Sequence, residues 1–538
     1  MKHLSGLDAT FLYLESPEMP MHVGSLNIYD LPEGYTGDFY EDVKAHIERR
    51  MHLAPVFQRK LALMPFELAN PVWVDDDDVD LDYHIRRIIL SKPGTMKQLE
   101  QYTGRLHSSL LDRSRPLWEF YVIEGLQSGQ VAFYSKIHHA ALDGAAGMAL
   151  ANAILDITPL PREVKPPRAK PRSNKYQLGV AELAGAALTN TVQQYIKLIK
   201  ILPDALRAVA SVAIPKKDEN GKRRFGLPKN WAFGPKTPIN VAITNQRSFA
   251  AVSLSLAEAK RVAKRMEVTL NDVVLGVCSG ALRRYLADHG CVPTKSLTAG
   301  VPVSLREAGN TELNNQVSMM LVSLASHIAD PLARLKAINT STSAAKELTG
   351  QVKAVLPTDF PSFGAPWLMS GLASLYGRSK LANIIPPIAN VAISNVPGPQ
   401  FPLYMAGAKM ATYYPVSIPG HGIALNITVQ SYNGSLEYGL TACRKALPDV
   451  RDLADYIAEA HRELRDLALG LQDAAVESVV TKPAIKKRAA KPIASGETVA
   501  KAASRKRTLK KASNGAAKPP KMAVPRAGTT RVSHVKVV

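Results

Sequence analysis

The chain has 538 residues, 46% of them hydrophobic, three cysteines and a formal net charge of +21. That length exceeds a usual single domain, so two substantial domains plus extras are expected, with enough apolar residues for well-filled cores. Cys278, Cys291 and Cys443 show no C-x-x-C or zinc-ligand spacing, Asp8 and Glu15 stand where a signal peptide needs an apolar stretch, and no window reaches the roughly 18 uninterrupted apolar residues of a spanning helix. A reducing cytoplasm and a soluble or peripheral protein are expected.

In chain order, residues 1–160 mix short strands and helices and form a first domain. Asp75-Asp76-Asp77-Asp78 lacks the spaced ligands and glycine of a calcium loop, so it reads as a solvated surface and no metal site is expected. Arg115-Pro116-Leu117-Trp118 precedes a strand over 120–123, with Trp118 expected in the core or an interface. The alternating run over 131–137 is another strand, which leads into His138-His139-Ala140-Ala141-Leu142-Asp143-Gly144 and a helix over 144–155.

Successive residues leaving a strand point to opposite faces, so His138 and His139 cannot both look into one cavity. One can act as a base while the other packs. A neutral imidazole takes a proton from a hydroxyl and returns it to a leaving group near physiological pH; a pair satisfied in the core or on the surface is the bland alternative. Asp143 is favourable at a helix start, and it can equally pair with an arginine and fix the loop. Gly144 permits a tight turn and close helix approach.

Residues 161–238 are rich in proline and basic residues and read as an interdomain linker, enclosing a helical stretch near 178–214 that either packs on a domain or docks on a membrane. The second domain spans 239–475. Its clearest helix starts near Asn271, where Thr269 and Asp272 form a capping pair, so Asn271 and Asp272 are either helix-start residues or site residues. Residues 391–393 read as a strand entering the turn of Ser394-Asn395-Val396-Pro397-Gly398-Pro399, which is structural or lines a channel. A strand over 423–429 meets another across Asn433-Gly434, a two-residue hairpin signal. Residues 476–538 read as a disordered tail: from 481 onward it holds 16 Lys or Arg against Glu497 alone, giving +15 and leaving +6 for the rest. Such a tail serves solubility or attracts polyanions, whether an anionic membrane or, non-specifically, nucleic acid; without aromatics to stack on bases, sequence-specific or single-strand recognition is not expected.

No G-x-S-x-G elbow, Walker loop, Rossmann G-x-G-x-x-G or H-E-x-x-H segment is present, which counts against serine hydrolase, NTPase, dinucleotide and zinc-protease readings. The pattern H-H-x-x-x-D-G over His138 to Gly144 resembles the active-site motif of the bacterial wax ester synthase/acyl-CoA:diacylglycerol acyltransferase family, within the CoA-dependent acyltransferase superfamily. Six further segments look like family blocks in family order: Leu4-Ser5-Gly6-Leu7-Asp8-Ala9-Thr10-Phe11, Arg115-Pro116-Leu117-Trp118-Glu119, Leu270-Asn271-Asp272-Val273-Val274-Leu275, Val301-Pro302-Val303-Ser304-Leu305-Arg306, the turn at 394–399, and Leu425-Asn426-Ile427-Thr428.

The resemblance implies an α/β (α+β) fold of two chloramphenicol-acetyltransferase-like mixed-sheet domains, with an acyl-CoA and an alcohol meeting in a tunnel between them. It implies His139 as base, Asn271 as candidate oxyanion donor, and Asp143 as a residue that orients the loop, paired with Arg306 or another buried arginine. Diacylglycerol or a fatty alcohol is the implied acceptor, and acyl-CoA is a substrate with no separate cofactor. Residues 367–372 supply a channel wall or a membrane-facing patch. The expected location is cytoplasmic, peripheral to the inner membrane or lipid inclusions. Two other readings are a superfamily enzyme that uses a different acyl carrier or acceptor, as condensation domains do, and a lipid-inclusion or nucleic-acid-binding protein acting through its tail.

Overall fold

The computed structural model describes residues 2–4, 6–62, 71–142, 144–166, 216–217, 223–224, 234–292, 294–304, 317–352, 383 and 386–480. Among them no helix is long and apolar enough to cross a membrane. The linker stretch near 178–214, the segment 367–372 and the basic region from 481 onward lie outside the described residues.

The first half contributes helix α1 (Gly6–Leu14), strand β1 (His22–Asp30), β2 (Ile85–Ile89), helix α2 (Met96–Ser108), β3 (Trp118–Glu124), β4 (Val131–His138) and helix α3 (Gly144–Ile154). The second half contributes β5 (Arg247–Ser255), helix α4 (Leu270–Asp288), β6 (Thr298–Ser304), β7 (Val317–Ser323), helix α5 (Pro331–Val352), β8 (Val391–Val396), β9 (Tyr404–Met405), β10 (Ala408–Val416), β11 (Leu425–Tyr432), β12 (Ser435–Cys443) and helix α6 (Val450–Val480).

Two six-stranded mixed sheets result, in the orders β9-β10-β1-β4-β3-β2 and β5-β12-β11-β8-β6-β7. This is the mixed α/β architecture expected from the sequence. In the first sheet β2 and β3 run parallel and the other pairs antiparallel; in the second, β8 runs parallel to both β6 and β11. Every residue of β4 is buried because both faces of its sheet are covered. Val131, Phe133 and Ile137 pack with Trp118, Phe120 and Tyr29 on one side, while Ala132 and Tyr134 meet Leu99, Tyr121 and Leu26 on the other.

Among the contacts that join the halves are a strand pairing and a helix packing. Strand β10 crosses from the second half to pair antiparallel with β1, Tyr414 opposite Leu26. Helix α2, started by a capping box between Thr95 and Gln98, lies against β5: the Arg247 N–H donates to Ser108 Oγ at 3.0 Å and the Ala251 N–H to Glu100 Oε1 at 3.0 Å. In the second half, Val274, Val277, Ala281 and Tyr285 of α4 join Leu453, Ile457, Ala460 and Leu464 of α6 in one apolar core, both sets following steps of three and four residues.

Candidate active site

Strand β4 ends at His138, and His139 opens a single 3-10 turn over His139–Ala141 before α3 begins. The two imidazoles have different surroundings. His138 is fully buried, and its Nδ1 accepts the Ala140 N–H at 3.1 Å, capping the turn that carries its neighbour. Its Nε2 lies 3.3 Å from Glu15 Oε1. His139 is only partly buried. Its backbone N–H donates to Met21 O at 2.8 Å, and its ring stacks on Phe11 of α1 with centroids 3.9 Å apart and planes at 17°.

Burial presses the His139 imidazole down to a pKa of about 4, opposed by its own backbone carbonyl and assisted by the neighbouring His138. The ring is therefore neutral at physiological pH and free to accept a proton. Beneath it, Glu15 is held at about 2: burial works to raise this carboxyl, but His138, Arg113 and the Met21 N–H outweigh it. On the same face of β4, Lys136 is completely buried and paired with Glu119 at 2.7 Å. His22, opposite His138 in the β1–β4 register, donates from Nε2 to His107 O at 2.8 Å. The arrangement is a neutral, partly accessible imidazole at the end of a central strand, with a buried polar layer behind it.

The wax ester synthase/diacylglycerol acyltransferase catalytic domain matches residues 4–274, and the C-terminal domain of the same family matches residues 313–465. The chain belongs to this family. The O-acyltransferase WSD of Acinetobacter baylyi is 35% identical over 470 residues, covering 85% of this chain and 96% of the relative. A Mycobacterium tuberculosis protein named as a diacylglycerol O-acyltransferase is 37% identical over 472 residues, covering 87% of this chain and 100% of its own length. The solved wax ester synthase/diacylglycerol acyltransferase from Marinobacter aquaeolei VT8 superposes with a TM-score of 0.62 at 30% identity, covering 87% of this chain and all of that one.

Within this family member, the other sequence-derived site residues fall in different settings. Asp143 and Arg306 lie outside the described residues, and Gly144 is the first residue of α3. Asn271 is a partly exposed residue in the first turn of α4. Asp272 beside it is buried and structural: it completes the capping box with Thr269 and accepts from Asn339 at 2.8 Å and from Thr342 at 2.6 Å, tying α5 to the start of α4. Burial raises its carboxyl, but the bonds from Thr342, Asn339 and Thr269 win and hold it below the usual range. Trp118 is core, with its indole N–H donating to Phe57 O at 3.3 Å. Asp75 and Asp76 pair with Arg59 and Lys60 on a neighbouring strand. A separate cavity of about 250 Å³ is lined by Lys236, Thr237, Pro238, Asn240, Val241 and Asn383, and none of the residues flanking His139.

Phe11, Glu15, Met21 and Arg113 surround the two histidines without having been singled out for a role by the sequence. One signal was available: Phe11 and Glu15 are four residues apart, the spacing that places two side chains on one face of a helix.

Proposed function

We propose that the chain is an O-acyltransferase that moves a long-chain acyl group from acyl-CoA to diacylglycerol or a fatty alcohol, forming triacylglycerol or wax ester. The observation that carries this reading is the neutral, partly exposed His139 imidazole at the end of β4, in a chain of this family.

The acceptor hydroxyl oxygen attacks the thioester carbonyl carbon while His139 takes the hydroxyl proton. The tetrahedral oxyanion then collapses, the carbon–sulfur bond breaks, and the imidazolium gives its proton to the departing thiolate, leaving free CoA and an ester. A positioned general base of this kind contributes roughly 10²- to 10⁴-fold. Because the ring sits at a pKa of about 4, it is always in the accepting form at neutral pH, and proton transfer becomes favourable as the attacking oxygen acquires positive character. Asn271 is the proposed oxyanion donor, a role typically worth about 3 kcal/mol. Asp143 is proposed to orient the loop after the histidines and Gly144 to allow its close helix approach, and acyl-CoA serves as substrate with no further cofactor. Residues 481–538, with their charge of +15, are proposed to hold the enzyme electrostatically against an anionic membrane or inclusion surface.

Purified protein supplied with palmitoyl-CoA and either hexadecanol or dioleoylglycerol, beside His139→Ala, tests the reading by mass spectrometry of the products. Wax ester or triacylglycerol from the wild type, falling about a hundredfold in the variant, is the expected result. No product, or equal product from both proteins, overturns it.

A further inference from the structure

The Glu15 carboxylate follows α1 directly, its side chain is 3% exposed, and both its oxygens are fully used on groups around His139. Oε1 accepts the Met21 N–H at 3.1 Å and faces His138 Nε2 at 3.3 Å. Oε2 is gripped by Arg113 through Nε at 3.0 Å and Nη2 at 2.7 Å, the two-pronged approach that a guanidinium makes to a carboxylate. Arg113 Nη2 also donates to Leu12 O at 2.8 Å, so the same side chain holds the end of α1. The carbonyl of the same residue, Met21, whose N–H Glu15 has captured, accepts the His139 N–H at 2.8 Å.

We propose that Glu15 and Arg113 are positioning residues for the acyl-transfer base: one clamped carboxylate fixes His139 from two directions, through the backbone of Met21, whose carbonyl takes the His139 N–H, and through His138, which caps its turn. This inference rests on the reading of His139 as the base. It gives Glu15 a job distinct from general stability, because every group it holds touches His139, its turn, or the helix whose Phe11 covers the ring.

Geometry at a reacting centre is unforgiving: displacement of a catalytic group by about 1 Å costs on the order of a hundredfold in rate. Glu15→Gln keeps the size of the side chain but removes the charge, and turns an amide N–H₂ toward either Arg113 or the pair formed by Met21 and His138. Arg113→Met removes the fork, whereas Arg113→Lys keeps one charged donor.

The test compares kcat and KM of the full chain for wild type, Glu15→Gln, Arg113→Met, Arg113→Lys, His139→Ala and the double variant Glu15→Gln/His139→Ala, with palmitoyl-CoA and hexadecanol or dioleoylglycerol. Expected are a kcat about 10- to 100-fold lower in Glu15→Gln with KM for either substrate within about threefold of wild type, and a kcat for Arg113→Lys between wild type and Arg113→Met. In the His139→Ala background, Glu15→Gln costs nothing further, because the group it positions is gone. A wild-type kcat in Glu15→Gln, or the same fold-loss with and without His139, overturns the proposal while leaving His139 as base. A His139→Ala variant with full activity overturns the reading of the base itself, and this proposal with it. Should Glu15→Gln fail to fold, the two Arg113 variants decide alone: equal, wild-type kcat in both overturns the proposal.

Discussion

The Phe11 ring lies flat against the His139 imidazole, with centroids 3.9 Å apart and planes 17° from parallel. One face of the imidazole is thereby shut off from water, and burial is the largest influence holding its pKa at about 4 instead of 6.5. A base with a depressed pKa is active above that pKa and lost below it. For the wild type, kcat/KM is expected to stay flat from pH 8 down to about 5.5, with no inflection near the ordinary histidine value of about 6.5. Phe11→Ala admits water to the ring face, so its acid limb moves upward toward about 6. A wild-type profile that titrates near 6.5 contradicts the buried, neutral base.

Asn271 and Asp272 are neighbours with separable roles. Asp272→Ala strips the capping box of its carboxylate, takes the acceptor of the Asn339 side chain and leaves Thr342 only the Asn339 carbonyl. That loss is expected to cost about 1 to 3 kcal/mol of stability, visible as a lower urea midpoint. Asn271→Ala touches none of these bonds. If it supplies the oxyanion donor, kcat falls by about 10²-fold or more at an unchanged midpoint; an unaltered kcat removes Asn271 from the site and leaves it as a helix-start residue.

The seam between the two sheets depends on a missing side chain. A Cβ placed on Gly439 of β12 would sit 1.7 Å from the Pro415 carbonyl oxygen of β10, a backbone atom that cannot swing aside. Gly439→Ala therefore forces the strands apart exactly where the second half completes the first sheet, at a cost of about 3 kcal/mol or more. Calorimetry is expected to show a large drop in Tm or an insoluble protein. A Tm within a degree or two of wild type would show that the strands part easily.

Local features of this chain were legible in its sequence, and long-range pairings were not. The helix expected over 144–155 is α3, the Thr269–Asp272 pair is a complete capping box, and Asn433-Gly434 turns with positive φ at both residues, 43° and 88°. Each of these is decided by residues within a few positions of one another. Strand β10 gives no comparable hint that it belongs beside β1, because a strand's alternation reveals that it pairs but not with what. Glu15 was hidden for the same reason. A single acid near the start of a chain reads as a solvated charge, and only the fold brings Arg113, 98 residues away, to grip it. The histidine pair was visible because its spacing is local, whereas the polar layer that supports it is assembled from α1, β1 and the segment after α2.

The buried histidines have a consequence for acid stability. Burial drives His22 well below its usual pKa, His107 to about 3, and His46 and His139 to about 4, and lowers His84 as well. Each is neutral in the folded protein yet takes up a proton near 6.5 once unfolded, so between those values the unfolded chain binds more protons and stability rises with pH. The contribution is complete above about 6.5 and is lost as pH falls toward 4. Glu437 works the other way: burial raises it to about 7, so its share is present below its ordinary value of 4.5 and is lost on going up toward 7. Burial raises Glu100 as well, and the bond to the Tyr285 carbonyl raises His289, but burial also lowers His421 and His461, so among the described residues seven histidines stand against three opposing groups. Glu15, held at about 2, weakens the fold only below 4.5. Tm measured by calorimetry from pH 7.5 to 4.5 is therefore expected to fall steeply below about 6.5, before most carboxylates titrate. His46→Gln, which keeps a donor for the Ile154 carbonyl that His46 Nε2 now bonds at 2.9 Å, is expected to make that fall shallower. A Tm constant over this range would mean that the histidines bind protons alike in the folded and unfolded chain, and would overturn their depressed pKa values.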